Sequence, residues 1–164
     1  METFNWTAFS QKIAIKATME QLYKAWTLPK EIETWFLSKA LFTRPSGVSV
    51  GHNEAIQTND TYHWSWYLYD VVETGTVLEA NGKDSLKFTF AGDCVVHVQL
   101  RQVHDHIVVN LSQSNIPTDN QSKRGIRLGC ASGWSFFLLN LKSVYEGGLD
   151  LRNKDPQFQG MINN

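Results

Sequence analysis

Cysteine is scarce in this chain: Cys94 and Cys130 are the only two in 164 residues. They stand far apart with no metal-ligand spacing, so they read as reduced structural thiols rather than as a zinc site. Long apolar runs are absent as well. None approaches the roughly 18 residues needed to cross a bilayer, so no membrane span is expected. The start of the chain shows no basic segment followed by an apolar core. No secretory signal is therefore expected, and a cytoplasmic location is. Charge of one sign is also missing. Lys and Arg number 15 against 16 Asp and Glu, a net charge of -1, and no basic stripe stands out. Nucleic acid is thereby excluded as a partner. No His-Glu-x-x-His, Cys-x-x-Cys, phosphate-loop glycine motif or Gly-x-Ser-x-Gly occurs. Nothing assembles a nucleophile, a base and an orienting acid. No catalytic residue, metal ligand or cofactor is assigned.

Aromatic side chains are abundant: six Trp, nine Phe and five Tyr. They bury large areas and serve equally well in a core or in a ligand wall. Hydrophobic residues make up 42% and charged ones 19%, which argues for a globular chain. Residues 1–164 read as one domain, with a core over about 8–147 and a polar tail over about 149–164.

Phe9, Ile13, Ile15 and Ala17 share one parity against Lys12 and Lys16, the pattern of a half-buried first strand. Thr18 with Gln21 makes a capping box, and Leu22, Ala25 and Trp26 recur at helical spacing. Pro29 suits a first helical turn, so a second short helix starts there with Ile32, Trp35 and Phe36 on its apolar face. Residues 45–61 read as loops around short strands. Tyr62, Trp64, Trp66 and Leu68 alternate with His63, Ser65, Tyr67 and Tyr69 as one strand. Glu73 to Glu79 is another, interrupted by Gly75. Asn81-Gly82 is a hairpin turn. Leu86, Phe88 and Phe90, then Val96, Val98 and Leu100, then Ile107, Val109 and Leu111 form the apolar face of a meander. Lys87, Thr89, His97, Gln99 and Arg101 are expected on the outer face. After Pro117, caps at Thr118, Asp119, Asn120 or Ser122 precede a long helix carrying Trp134, Phe137, Leu138, Leu141 and Tyr145. From Arg124 to the stop at Gly147-Gly148 that helix would run about 34 Å. In the tail, Phe158 and Met161 are the expected anchors.

The order of these elements, together with Ala25-Trp26-Thr27, Trp35-Phe36, Leu86-Lys87-Phe88-Thr89-Phe90 and Gly133-Trp134, resembles the START-related (SRPBCC) superfamily. Within it the chain is most similar to the Aha-like family, named for activators of the ninety-kilodalton heat-shock protein's ATPase. The resemblance covers about residues 8–147. It implies an α+β helix-grip (START-like) fold, in which a curved antiparallel sheet wraps a long C-terminal helix and two short helices follow the first strand. It implies function less sharply, because the family includes hydrophobic-ligand binders, cyclase-like enzymes and chaperone regulators.

Gly125, Gly129 and Gly133 recur every fourth residue and would lie nearly on one helix face. Each costs about 1 kcal/mol relative to Ala in a helix interior. They either keep a cavity open or let the helix pack closely on the sheet, unless the helix starts later. The expected ligand-binding set is Trp35, Phe36, Trp64, Trp66, Phe88, Phe90, Gly129, Gly133, Trp134 and Phe137. His104 and His106 share a strand parity, but Asp105 between them reads as a hairpin tip. Glu31, Glu33, Glu73 and Glu79 read as solvated charges. Asp150-Leu151-Arg152-Asn153 could cap the end of the last helix by a local ion pair. The leading expectation is non-enzymatic binding of a small hydrophobic, aromatic or lipid-like molecule between sheet and helix. The alternatives are a chaperone-regulating interaction module and, third, a cyclase-like enzyme. A chaperone and a second copy of the chain stay open as partners.

Overall fold

A computed structural model describes residues 4–164; Met1–Thr3, included in the expected domain, lie outside the described residues. Strand β1 (Phe9–Ile15) is followed by helices α1 (Met19–Thr27) and α2 (Pro29–Trp35). Six further strands follow: β2 (Lys39–Thr43), β3 (Thr61–Trp66), β4 (Tyr69–Ala80), β5 (Ser85–Phe90), β6 (Cys94–Val103) and β7 (His106–Ser114). They form one antiparallel sheet in the order β1-β7-β6-β5-β4-β3-β2. The last helix opens as α3 (Asn120–Ser122), passes without a break through a π-helical segment (Lys123–Leu128) and continues as α4 (Gly129–Gly147). This is the expected helix-grip arrangement. Among the described residues, no helix is long and apolar enough to cross a membrane.

The capping box forms as the sequence implies. Thr18 Oγ1 accepts the Gln21 N–H at 3.1 Å, and Gln21 Oε1 accepts the Thr18 N–H at 2.9 Å. Pro29 opens α2, where a missing N–H costs nothing. Asp119 is the cap of the last helix, its carboxylate accepting from the Ser122 N–H. Gly148 ends the helix in the left-handed region at φ 71°, donating its N–H to Val144 O.

Parity holds across the meander. Leu86, Phe88, Val96, Val98, Leu100, Ile107, Val109 and Leu111 are buried, and Phe90 is half-buried. Gln99 and Arg101 are exposed, while Lys87, Thr89 and His97 are half-covered on the outer face. Trp134, Leu138 and Leu141 of α4 are buried against this sheet, and Phe137 is half-buried. Gln11 of β1 ties the two layers together: its Nε2 donates to Ala131 O and Ser135 Oγ, each at 2.8 Å.

Several local expectations need correction. The strand read over residues 62–69 ends at Trp66; Tyr67 and Leu68 make a tight turn, and β4 starts at Tyr69. Leu68 takes φ 56° there without the Gly or Asn that normally announces such a turn. Strand β2 adds to the expected elements; its five residues include the exposed Leu41, which masks its apolar face in the sequence. The loop after it holds a single bridge, Thr43 to Ser49, rather than short strands. It is pinned instead by Arg44, whose Nη1 donates at 2.5 Å to the fully buried Asp60. The last helix starts before Arg124.

The tail is not anchored by Phe158 and Met161, both of which are exposed. Arg152 holds it. Its guanidinium donates to Glu33 O at 2.9 Å, Leu37 O at 2.8 Å and both Asp150 oxygens. Asn140 of α4 donates to Trp35 O at 2.6 Å. The carbonyls at the end of α2, which lack intrahelical partners, are thus met from the tail and the last helix. The Asp150–Arg152 pair therefore caps α2, not the helix it follows.

Gly75 is required by close approach rather than by turn geometry. A Cβ built there would meet Tyr62 Oη at 2.5 Å and Thr89 Oγ1 at 2.6 Å. Gly75→Ala is expected to lower stability by about 1–3 kcal/mol through overpacking, measured by urea unfolding. Burial alone would push the Asp150 carboxyl up; hydrogen bonds from Arg152, Lys154 and Asn140 outweigh it and hold it well below the ordinary 3.8. A depressed folded-state value means the contribution is present above 3.8 and lost as pH falls below it. The acid limb of a stability–pH curve should therefore be shallower in Asp150→Asn than in the unmodified chain.

Candidate functional site

A cavity of about 350 Å³ opens between the β3–β4 hairpin, the end of β5 and the last helix. Its size falls at the lower end of the range for small-molecule pockets, about 300–1,000 Å³. Phe36 sits at its base. It lies at the end of α2, and its ring is 4.9 Å from Phe137, 5.1 Å from Trp134 and 5.6 Å from Trp66. Phe90 closes one side, 5.3 Å from Trp134 and 6.4 Å from Trp66. Trp134 is fixed by a hydrogen bond from its indole N–H to the buried Gln113 Oε1 at 3.1 Å.

The helix forms the remaining wall, and it does so with glycine. Gly125, Gly129 and Gly133 all line the cavity. A Cβ on Gly125 or Gly133 would meet nothing within 4 Å, and one on Gly129 only Arg124 O at 3.6 Å. Close packing on the sheet is therefore not what these glycines serve; they border open space. The π-helical segment begins the same wall. Within it the Gly129 N–H reaches back to Arg124 O, five residues earlier. Such segments are rare and concentrate at functional sites.

Seven of the ten residues expected to bind ligand border this space: Phe36, Trp66, Phe90, Gly129, Gly133, Trp134 and Phe137. Trp35, Trp64 and Phe88 do not, and are corrected to core. They border a crevice of about 10 Å³, too small for any ligand. Trp35 donates its indole N–H to Ala25 O at 2.8 Å, and Trp64 stacks on Tyr62 at 3.8 Å. Trp64 and Phe88 point inward as their strand parity requires and Trp35 packs inward from the end of α2, while Phe36 borders both the crevice and the cavity.

The cavity wall also holds residues outside the expected set. Leu68, Tyr69 and Val71 reach the rim because of the unannounced turn at Tyr67-Leu68. Cys130 contributes a thiol that burial pushes up to about 11, so it lines the wall as a neutral, inert group. Asn164 closes the rim from the tail. Glu73, read as a solvated charge, is half-buried in the wall. Its position was legible: residues 69, 71, 73, 75 and 77 share one parity, and Val77 on that parity is core.

The family model described as "Activator of Hsp90 ATPase homolog 1-like protein" matches residues 16–146. Solved structures repeat the fold at low identity. The Aha1 dimer from Colwellia psychrerythraea is 20% identical with a TM-score of 0.66, covering 86% of this chain and 97% of that one. A protein from Staphylococcus saprophyticus is 17% identical with a TM-score of 0.68, covering 88% and 96%. An HSP90 activator from Plasmodium falciparum is 16% identical with a TM-score of 0.62, covering 84% and 95%. No curated protein matches the chain.

Gly133→Ala is expected to raise stability by about 1 kcal/mol. The added methyl meets no neighbour, and Ala is the better helix former. A thermal melt that falls on this substitution would show that the wall is packed rather than open.

Proposed function

The chain belongs to the activator of Hsp90 ATPase homolog 1-like family, and from that premise we propose that it binds a small apolar molecule with an aromatic body in the cavity beside its C-terminal helix. One observation carries this reading: the helix places three glycines against a space that no side chain fills. Each glycine costs the helix about 1 kcal/mol relative to alanine. A helix that only had to cover a sheet would be more stable with side chains in that space. The walls suit such a guest. Phe36, Trp66, Phe90, Trp134 and Phe137 offer ring faces and edges to an apolar body. Among the described residues no triad or general acid–base pair is assembled in the wall, and the reading favoured is of a binder.

A second reading takes the family's description at its word: regulation of a heat-shock-90 chaperone. Tyr69 and Val71 are exposed on the same face of β4 and would supply an apolar contact surface for a chaperone or for a second copy of the chain.

The discriminating measurement is a thermal-shift and tryptophan-fluorescence titration with apolar aromatic compounds, run beside Gly133→Leu. A bound ligand should raise the melting temperature with its concentration and perturb Trp66 and Trp134 emission. Gly133→Leu should abolish both effects while keeping the circular dichroism spectrum, because its side chain fills the cavity. Shifts of equal size in the two proteins would overturn the binding reading. A rise in the ATPase rate of a purified heat-shock-90 chaperone on adding either protein would favour the second.

A further inference from the structure

Among the side chains lining the cavity, Glu73 is the one carboxylate, and its placement is specific. Glu73 lies opposite Trp64 in the β3–β4 register, so it stands on the concave face of the sheet. Its Oε1 accepts the Ala91 N–H at 2.8 Å, which fixes the group against the turn after β5. Among the described residues, no Lys, Arg or His pairs with it. The cavity wall contains no cationic side chain either. The Ala91 N–H meets one oxygen of this half-buried carboxylate, but no cationic group among the described residues neutralises its charge. An organic cation would offset it twice. It would pair with the carboxylate, and the faces of Trp66, Phe90 and Trp134 would attract the same charge.

We propose that the cavity selects an amphiphilic amine: a protonated amine, held by Glu73, on a compact aromatic body held by the rings. The proposal rests on the reading of the cavity as a binding site and adds the charge of the guest. The free carboxylate oxygen, Oε2, is the acceptor for the ammonium N–H. Oε1 stays with Ala91.

The test uses two probes of the same shape, 1-naphthylmethylamine and 1-naphthylmethanol, at neutral pH. Calorimetric titration of the unmodified protein should give tighter binding of the amine by about tenfold or more, as a charge-assisted hydrogen bond requires. Glu73→Gln keeps an acceptor for the Ala91 N–H and removes the charge. It should bring the ratio close to one by weakening the amine alone. Gly133→Leu should bind neither probe. Equal affinities for amine and alcohol in the unmodified protein would overturn the cation assignment and leave the cavity reading standing. An amine preference that survives Glu73→Gln would overturn the role of Glu73. Failure of both probes to bind the unmodified protein would overturn the proposal together with the reading beneath it. Should Glu73→Gln fail to fold, the ratio measured on the unmodified protein decides.

Discussion

The ring of Phe36 meets five other aromatic rings: Trp35 at 5.2 Å, Trp64 at 5.5 Å, Trp66 at 5.6 Å, Trp134 at 5.1 Å and Phe137 at 4.9 Å. These come from the end of α2, β3 and the last helix. On one side of the ring lies a solid core in which Trp35, Trp64 and Phe88 are buried. On the other lies the cavity. Removing the ring would join the two spaces and leave several large aromatic faces without a partner. Edge-to-face and offset arrangements of this kind add about 0.5–1.5 kcal/mol per pair beyond burial. The division of the interior into core and cavity therefore depends on where the end of α2 places one side chain.

That placement is itself secured from a distance. Trp35 O accepts from Asn140, and Glu33 O and Leu37 O accept from Arg152. A short helix with unmet carbonyls would fray at its last turn, where Phe36 stands. Arg152 of the tail thus stabilises the backbone that carries the cavity floor. The aromatic clamp and the polar staple act on the same backbone segment, one through packing and one through hydrogen bonds.

Much of this was legible in the residues, and the failures have definite causes. Period-two alternation placed the inner faces of β5, β6 and β7, because a one-residue slip would expose every apolar side chain at once. The same rule applied to residues 69–77 turns Glu73 inward, although its charge alone argues for solvent. The turn at Tyr67-Leu68 was hidden because Leu68 takes its positive φ without a glycine or asparagine to mark it. Phe158 and Met161 are hydrophobic yet exposed, whereas the tail is held by hydrogen bonds, which composition does not reveal.

The sequence by itself determined the two short helices after the first strand, the inward faces of β5 to β7, the caps at Thr18 and Gly148 and the row of glycines on the last helix. Each of these follows from local sterics or from the spacing of apolar residues, and needs no knowledge of distant neighbours. Tertiary structure alone decided which inward aromatics meet open space and which are sealed behind Phe36. It also decided that the three glycines face a void rather than a packed sheet, and that Glu73 shares that void. The reason is physical: a cavity is a volume that no residue fills, set by the relative placement of segments far apart in the chain. Local pattern can orient a side chain, but it cannot say what stands opposite.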